Sequence, residues 1–421
     1  TGVENTIIGA MAGDALTDAN RNVAVGYAAL SAEILGQYST AIGWNALGVQ
    51  SNSTAANALN TAVGYNAGAA VTTGQYNTLI GGLAGDAITT SNYNTVIGYS
   101  ALGTNQTGTR NVAVGYHAGL NTTTSDNTIL GYAAAEAMTT GSSNIIVGSK
   151  AGQSLTVGNE NVVIGVEALD ADTKGDRNIA IGNRALSAQN FTTSTDSYNT
   201  AIGHEAGKVI TTGIENTLIG GLAGDALEDA DANVAVGKGA IGSDTLGSKS
   251  TAVGTGTLSS QNFTTATDSY NTAVGYVAGA AITTGIQNTL VGGNAGDATT
   301  TGEKNTAVGH NSLGSNTTGS GNTTVGSYSL DANTTADDNT AMGQSALGQN
   351  TTGANNTGLG RSALTANTTG ANNTAIGSQA LLDNTTGAQN VAVGMFSLAN
   401  NTSADYNAAV GYAAMEANTT G

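Results

Sequence analysis

The chain repeats one short pattern of polar, small and apolar residues from end to end. One copy is Asn60-Thr61-Ala62-Val63-Gly64, and copies run from 5–9 to 407–411. The final glycine occurs 24 times, and the step in residue number from one to the next is 17, except for three steps of 21 and one of 16. A fixed short period is typical of solenoids, in which each repeat forms one coil of a stack. The sequence therefore predicts an all-β parallel β-solenoid (β-roll) of about 24 coils.

We number the positions of a coil from this glycine, so that Gly64 is position 0, Val63 is −1 and Ala62 is −2. Position −1 is a bulky aliphatic residue in all 24 coils, position −3 is Thr or an aliphatic residue in all but one, and position −2 is mostly Ala. Because side chains alternate across a strand, −3 and −1 share one face and −2 takes the other. The uniform bulk at −1 predicts that this face is buried. The small residues at −2 predict a close approach by a neighbouring chain.

Other positions predict how a coil closes. Position −4 is Asn in 22 coils and Ser in two, which indicates a hydrogen-bonded ladder of amides from coil to coil. The glycine at 0 predicts a bend. Position +3 is Ala in 20 coils, which indicates a narrow inward corner. The Thr-Thr-Gly of many return halves, such as 72–74, predicts a second short strand ended by a turn.

The second apolar residue of each coil changes place. Position +4 is a large aliphatic residue in 14 coils and Gly in nine, and seven of those nine have an aliphatic residue at +7, such as Val71 and Ile88. A tightly packed interior requires this exchange of volume. The other two have Thr122 and Thr299 at +7 and are predicted to be weaker coils.

The repeat covers residues 1–421, so we predict a single continuous rod. At about 4.8 Å per coil it would be roughly 110 Å long. The three longer coils are expected to carry four-residue surface insertions, at 191–194, at 263–266 and in the region 51–59. The chain begins and ends within the pattern, and we expect it to be a segment of a longer fibre protein.

Composition narrows the possible partners. The chain has 421 residues with no Cys and no Pro, and its net charge is −18. Without cysteine there is no disulfide framework and no cysteine metal site. The negative charge argues against nucleic acid, whose binding requires cationic side chains. No apolar run reaches membrane-spanning length, so we expect no membrane insertion by this segment.

The repeat resembles sequences of known fibres. Asn-Thr-Ala-Val-Gly with Ala at +3 is similar to the Asn-Ser-Val-Ala-Ile-Gly repeat of trimeric autotransporter adhesin heads. The 17-residue form, as in 373–387, resembles repeats of bacteriophage tail fibres and large bacterial surface proteins. The resemblance implies a left-handed β-roll, a homotrimer, and a role in attachment outside the cell, on a virion or on a cell surface. The coils are longer than those of adhesin heads, and no adhesin neck, stalk or anchor is recognised.

Aromatic residues recur at two positions. The candidate ligand contacts are the aromatic residues at +1: Tyr27, Trp44, Tyr65, Tyr99, Tyr116, Tyr132, Tyr276 and Tyr412. Tyrosines also occupy −5, at Tyr38, Tyr76, Tyr93, Tyr198, Tyr270 and Tyr406. One interpretation is a stacking surface for glycans of a host cell. The other is packing beside the turns or between chains.

Nothing in the sequence points to catalysis or to a cofactor. The histidines, His117, His204 and His310, lie on different coils, and a solenoid keeps such coils apart. Asp recurs in four Gly-Asp-Ala steps at 13–15, 85–87, 224–226 and 296–298, without the nonapeptide of calcium-binding β-rolls. Seven Asn-Thr-Thr or Asn-Thr-Ser sites from Asn316 to Asn418 match the glycosylation signal, which we interpret as a by-product of the repeat. We expect no catalytic, cofactor or metal site and no enzymatic activity.

The predicted function is a structural fibre shaft that serves attachment to a host cell or surface, in a phage tail fibre or a bacterial surface fibre, through a glycan or protein receptor. One alternative is a trimeric adhesin head. The other is an ice-binding β-solenoid, whose regular Thr and Asn arrays would order water. The prediction that Thr at −3 points inward, together with the acidic and aromatic interruptions of the arrays, argues against ice binding.

Overall fold

The computed structural model describes residues 2–419 and confirms an all-β parallel β-solenoid of about 24 turns, most of them 17-residue coils. It divides into two compact units, Thr1–Ile214 and Glu215–Gly421. Each unit contains a parallel sheet of twelve three-residue strands, one per coil. No helix long and apolar enough to span a membrane occurs among the described residues.

The first unit contains strands β1–β14, of which β11 and β13 are a short additional pair. Their bounds are β1 Thr6–Ile8, β2 Val23–Val25, β3 Thr40–Ile42, β4 Thr61–Val63, β5 Thr78–Ile80, β6 Thr95–Ile97, β7 Val112–Val114, β8 Thr128–Leu130, β9 Ile145–Val147, β10 Val162–Ile164, β11 Gly175–Asp176, β12 Ile179–Ile181, β13 Thr195–Asp196 and β14 Thr200–Ile202.

The second unit contains strands β15–β28, of which β17 and β19 form the equivalent short pair. Their bounds are β15 Thr217–Ile219, β16 Val234–Val236, β17 Gly247–Ser248, β18 Thr251–Val253, β19 Thr267–Asp268, β20 Thr272–Val274, β21 Thr289–Val291, β22 Thr306–Val308, β23 Thr323–Val325, β24 Thr340–Met342, β25 Thr357–Leu359, β26 Thr374–Ile376, β27 Val391–Val393 and β28 Ala408–Val410.

The register stacks equivalent positions of successive coils directly on one another. Strand β4 pairs with β5 so that Thr61 lies beside Thr78, Ala62 beside Leu79 and Val63 beside Ile80. Since each strand holds positions −3, −2 and −1, the register produces three rows of like residues along each unit.

The predicted orientation of the strand was wrong. The residue at −2 points into the coil, and Ala62, Leu79 and Ala235 have no exposed surface. The residues at −3 and −1 point outward, and side chains such as Ile80 and Ile97 are each 37% exposed. The small residue at −2 is therefore small because the coil interior is narrow, and not because another chain approaches it.

The interior explains which residues occupy −2. It is filled by −2, by the Ala at +3, and by the aliphatic residue at +4 or +7, all of which are buried in most coils. Where +4 is Gly, a large −2 residue can use the vacated space, and a Cβ on Gly85 would lie 2.9 Å from Leu79 Cδ2. All six Leu or Ile residues at −2 occur in coils with Gly or Ala at +4, namely Ile7, Leu79, Ile129, Ile146, Leu218 and Leu290. This exchange of volume confirms that −2 and +4 share one core.

Backbone conformation explains why +4 alternates between Leu and Gly. Leu47 at +4 has a φ of 48°, and Gly68 at the same position has a φ of 60°. A left-handed φ costs a non-glycine residue roughly 1 kcal/mol. Burial of the Leu side chain at +4 offsets this conformational cost. Gly at +4 has no such cost but also no side chain, so the apolar side chain of that coil is supplied by the residue at +7. The predicted pairing of Gly68 with Val71 is confirmed, because Val71 is buried.

The predicted amide ladder at −4 is confirmed. The Nδ2 of Asn77 donates to the Ser91 carbonyl at 2.9 Å, which closes its own coil. Its Oδ1 accepts the backbone N–H of Asn94, the equivalent residue of the next coil, at 3.0 Å. Each asparagine therefore stabilises one turn and one junction between coils, in a buried interior where polar groups need such partners.

The predicted second strand is absent from the return half of most coils in the described chain, where the backbone bends at +8 and +9. It occurs only as the short pairs beside the longer coils, β11 with β13 and β17 with β19. Elsewhere, isolated hydrogen bonds hold successive coils together. The N–H of Thr72 donates to the Thr89 carbonyl at 2.9 Å, and the Thr72 hydroxyl donates to the same oxygen at 3.1 Å. Thr therefore recurs in this half because its hydroxyl adds a bond between coils.

The insertions of the 21-residue coils are only partly on the surface. Residues 192–194 are exposed as predicted, but Phe191 is 6% exposed and Phe263 is 5% exposed, so both rings turn inward. A buried carboxylate of the preceding coil holds each insertion. Asp244 accepts the N–H of Phe263 at 3.0 Å and the Nε2 of Gln261 at 2.6 Å. Asp172 and Glu33 occupy the same +7 position and make equivalent bonds.

Candidate interaction surface

The residues at −3 and −1 form a surface along each unit that we call the outer face. None of these residues, two in each coil, is charged or a histidine, although the chain has 11 Lys and Arg and 29 Asp and Glu residues. Sixteen of the −3 residues are Thr and all −1 residues are aliphatic. A charge-free apolar surface that extends over many coils is unusual for a monomer and typical of an interaction site.

The outer face exposes a substantial area. Full burial of an isoleucine side chain contributes up to about 3 kcal/mol. At about 25 cal/mol per Å² this corresponds to an apolar area of roughly 120 Å². A side chain that is 37% exposed, as Ile97 is, therefore leaves about 45 Å² uncovered on the same scale. Over the twelve coils of one unit the −1 row alone therefore exposes at most about 500 Å², and the −3 row of the same face adds to it; a stable interface buries roughly 800 Å² per partner.

The aromatic residues at +1, which we call the +1 row, border one edge of the outer face. Six of the eight candidate residues form two stacks in the first unit. Tyr27, Trp44 and Tyr65 stack with ring centroids 6.1 and 5.0 Å apart. Tyr99, Tyr116 and Tyr132 stack at 5.7 and 5.3 Å. Gly82 interrupts the row between the two stacks.

The stacking limits what the +1 row offers to a ligand. Within a stack each ring face covers its neighbour, so the outward surface consists of ring edges and hydroxyl groups. Tyr276 and Tyr412 lie in the second unit and are more exposed, at 64% and 75%. Tyr412 meets Phe396 edge to face, with centroids 6.3 Å apart.

The residues at −5, which we call the −5 row, border the opposite edge. Tyr76 and Tyr93 stack at 4.9 Å. Three other tyrosines of the row lie under the cation of the preceding coil: the Arg177 guanidinium is 5.7 Å from the centre of the Tyr198 ring, and Arg21 and Lys249 lie similarly over Tyr38 and Tyr270. Sequence reasoning identified the tyrosines but not their cationic neighbours.

Ion pairs join cations of the −5 row to acids of the next coil. Arg110 Nε lies 2.6 Å from Asp126 Oδ1, and Lys249 Nζ lies 2.5 Å from Asp268 Oδ2. The hydrogen bonds from Arg110 and Lys249 lower the pKa of Asp126 and of Asp268. These groups are exposed, so the pairs organise the edge and add little to stability.

The pKa values of two buried carboxylates, Asp172 and Glu33, are shifted in opposite directions. Burial raises the pKa of Asp172 and outweighs its hydrogen bonds from Gln189 and Phe191. Burial also acts to raise the pKa of Glu33, but hydrogen bonds from Gln50, Asn52 and Gly36 outweigh it and lower the pKa. The sequence signal for this arrangement is an acid at +7 followed by Gln at +7 of the next coil.

The histidines and acids do not converge on a shared site. His117 stacks on Tyr116 at 3.9 Å, and its Nδ1 lies 3.0 Å from Glu136 Oε1. His310 packs edge to face on Tyr328. Within residues 2–419, no group of three His, Cys, Asp or Glu side chains is placed to hold a metal ion.

The glycosylation signals of the second unit coincide with a second amide ladder. Asn333 Nδ2 donates to Asn316 Oδ1 at 2.8 Å and to the Ala336 carbonyl at 3.1 Å. The six asparagines from Asn316 to Asn401 have no exposed surface. A glycan on any of them would have to replace a buried hydrogen bond, which supports the interpretation that these signals are by-products of the repeat.

No protein-family model matches the chain, and neither does the sequence of any curated protein.

Proposed function

We propose that the chain is a shaft segment of a structural fibre that serves attachment to a cell or another surface. The observation that carries the proposal is the outer face, a charge-free apolar surface on regularly stacked coils in both units. A solenoid with such a face has a reason to associate with copies of itself, because association removes the exposed aliphatic side chains from water. The stacked coils supply stiffness and repetition, which a shaft requires.

We propose a homotrimer as the assembled form, as the resemblance to trimeric fibres implies. The outward direction of the −3 and −1 side chains decides which residues would meet. The three chains would pack through Thr at −3 and the aliphatic residues at −1, and not through the alanines at −2. The −3 and −1 residues carry none of the charged groups of the chain, so contact between these two rows buries no charge.

Light scattering on the purified chain tests the assembly. The expected mass is three times the 41.2 kDa of one chain. A chain that stays monomeric at micromolar concentration would overturn the self-associating shaft. A chain that forms dimers would overturn the trimer.

The attachment role is testable through the aromatic stacks. Trp44 is the only tryptophan of the chain and lies in the middle of a +1 stack. A glycan that binds on this stack should therefore change tryptophan fluorescence. We propose titration with the oligosaccharides that bind best on an array of cell-surface glycans. Trp44→Phe keeps the ring stack and supplies the control for array binding, whereas Trp44→Ala should abolish binding. Array binding that Trp44→Ala leaves intact would remove the row as the receptor site.

A second candidate is ice binding, because threonines at −3 point outward, contrary to the sequence-based expectation. Eight successive coils of the second unit have Thr at −3, beginning with Thr251 and ending with Thr374, each followed by an aliphatic residue at −1. This is a regular array on an exposed surface. The array uses the outer face, so a monomer with thermal hysteresis at millimolar concentration would favour ice binding. A trimer without hysteresis would favour the fibre.

A further inference from the structure

The two edges of the outer face have matched chemistry in the same coil. Five of the six tyrosines of the −5 row have a ring residue at +1 of their own coil. The five pairs are Tyr38 with Trp44, Tyr93 with Tyr99, Tyr198 with His204, Tyr270 with Tyr276, and Tyr406 with Tyr412. The sixth tyrosine, Tyr76, is matched with Gly82, which has no side chain at +1.

The matching exceeds what chance would give. A ring residue occupies +1 in ten of the 24 coils when histidine is counted, so two or three matches are expected among six tyrosines. The pairs at Tyr198 and Tyr270 lie at equivalent places of a repeated four-coil block, and the other three lie in unrelated coils. Two arginines of the −5 row, Arg21 and Arg110, also have a tyrosine at +1, which is the partner that a guanidinium favours.

Contacts within one chain do not explain the match. Positions −5 and +1 are six residues apart on opposite edges of the strand, up to about 20 Å at 3.3 Å per residue. In the described chain, the ring and cation–π contacts of the −5 row stay within that row, as between Tyr76 and Tyr93. Those of the +1 row join rings at +1 to one another or to a neighbouring turn residue. A single chain therefore gives no physical reason for one edge to follow the other.

We propose that copies of this chain pack through their outer faces in parallel and in register, so that the −5 row of one copy contacts the +1 row of the next. When chains surround an axis parallel to the stacking direction, the −5 edge of each faces the +1 edge of its neighbour at the same height. Such an interface joins two different surface strips and closes into a ring. Antiparallel packing would bring differently numbered coils together and would leave the matched pairs without a function.

The seam between copies would then consist of ring pairs and Arg–Tyr pairs on either side of an aliphatic centre. This places rigid aromatic side chains where interfaces concentrate their binding energy. The aliphatic residues at −1 supply the apolar area that is buried between copies. The matched edges set the relative direction and register of the copies, because a shift of one coil would separate the paired rings. The inference rests on the proposed self-associating fibre and specifies its contact surface. It assigns the +1 row to the contact between copies, so glycan binding on the Trp44 stack of the assembled protein would contradict it.

Cysteine cross-linking tests the register, since the chain has no native cysteine. The matched variant is Tyr93→Cys with Tyr99→Cys. The control is Tyr93→Cys with Tyr27→Cys, whose +1 position is four coils away, about 19 Å along the stack. Each is treated with a short bis-maleimide and examined on a denaturing gel. The matched variant is expected to form covalent dimers and a closed covalent ring. The control, and the single variants Tyr93→Cys and Tyr99→Cys, are expected to remain monomers on the gel.

The outcomes separate this inference from the proposed function. Light scattering first establishes that each variant has the assembled mass of the wild type. Assembly with cross-linking of the control alone, or of a single variant with itself, would overturn parallel in-register packing and leave the fibre intact. A monomeric wild type would overturn both proposals. If the cysteine variants do not assemble, photo-oxidation of the wild type should yield dityrosine between Tyr93 and Tyr99 of different chains, and its absence overturns the inference.

Discussion

Ala62 and Val63 are adjacent in strand β4 but lie on opposite faces, so one substitution made at each position tests the orientation of the strand. Ala62 has no exposed surface and lies between Ala41 and Leu79, which are also buried. Val63 points outward and is partly exposed. Replacement of either residue by Asp introduces the same carboxyl group, inside the coil in one case and on the outer face in the other.

The expected cost of Ala62→Asp follows from the pKa of the new group. Aspartate in an unfolded chain has a pKa near 3.9, so keeping the buried carboxyl protonated at pH 7 costs about 4 kcal/mol. Overpacking of the narrow interior adds roughly 1–3 kcal/mol. Because the folded pKa is raised above the unfolded value, the protonation cost is greatest at neutral pH and disappears as the pH falls below about 4.

Val63→Asp is expected to behave differently. In a single chain the carboxylate remains in water, and the loss of strand preference costs less than about 1 kcal/mol. In the assembled fibre, carboxylates from neighbouring copies would meet on the outer face. The cost therefore appears as dissociation, and it depends on protein concentration.

Hydrogen exchange of the peptides that contain β3, β4 and β5 measures both effects locally. At pH 7, Ala62→Asp should lower protection in these strands by at least about a thousandfold, because the protonation cost alone is about 4 kcal/mol and overpacking adds to it. Near pH 4 the part due to protonation, about a thousandfold, should return after correction for the intrinsic exchange rate. In dilute solution Val63→Asp should keep the protection of a wild-type single chain. The reverse result, with Ala62→Asp tolerated and Val63→Asp unfolded, would refute the orientation and every proposal that uses the outer face.

Three further substitutions test the interior. Asn77→Ala should destabilise its unit by about 2–4 kcal/mol in urea unfolding, because it leaves two buried backbone groups without partners. Asn355→Ala, at an exposed −5 position with a φ of 59°, should cost no more than about 1 kcal/mol, the strain of a left-handed φ on alanine. Glu33→Gln should lower the melting temperature at pH 7. Since the pKa of Glu33 is lowered in the fold, the difference between wild type and variant should shrink as the pH falls through that lowered pKa, and a constant difference would contradict the assignment. Thr122→Val should stabilise the protein by about 1–2 kcal/mol, because the Thr122 hydroxyl is buried without a hydrogen-bond partner; a less stable variant would show that the hydroxyl has a partner.

Several features of the fold were predictable because they depend on short-range geometry. The 17-residue period defines one coil, and the invariant glycine marks a bend. Gly64 has a φ of 142°, and a Cβ there would overlap the carbonyl oxygen of Gly81 in the next coil. The amide ladder followed in the same way, since a buried asparagine at a fixed position must bond to its equivalents.

The candidate site was only partly predictable. The aromatic residues at +1 were identified from their spacing, and six of them form stacks. Their role at a receptor remains a prediction. The cations of the −5 row and the buried carboxylates were missed, because the partners of Arg177 or Asp244 belong to other coils. A single repeat contains no signal for such contacts, whereas a comparison of equivalent positions in successive coils would have shown Glu33 followed by Gln50.

The sequence by itself determined the period, the bend, the polar corner and the division of each strand into two faces. Only the tertiary structure decided which face is inside. Alternation assigns Thr61 and Val63 to one face and Ala62 to the other, but it contains no information about the width of the space on either side. The coil interior is narrow because Ala67 and the residues at +4 and +7 already fill it, so it accepts alanine and leaves the bulky aliphatic residues outside. That inversion converts a predicted core into an exposed outer face, from which the proposed assembly of the fibre follows.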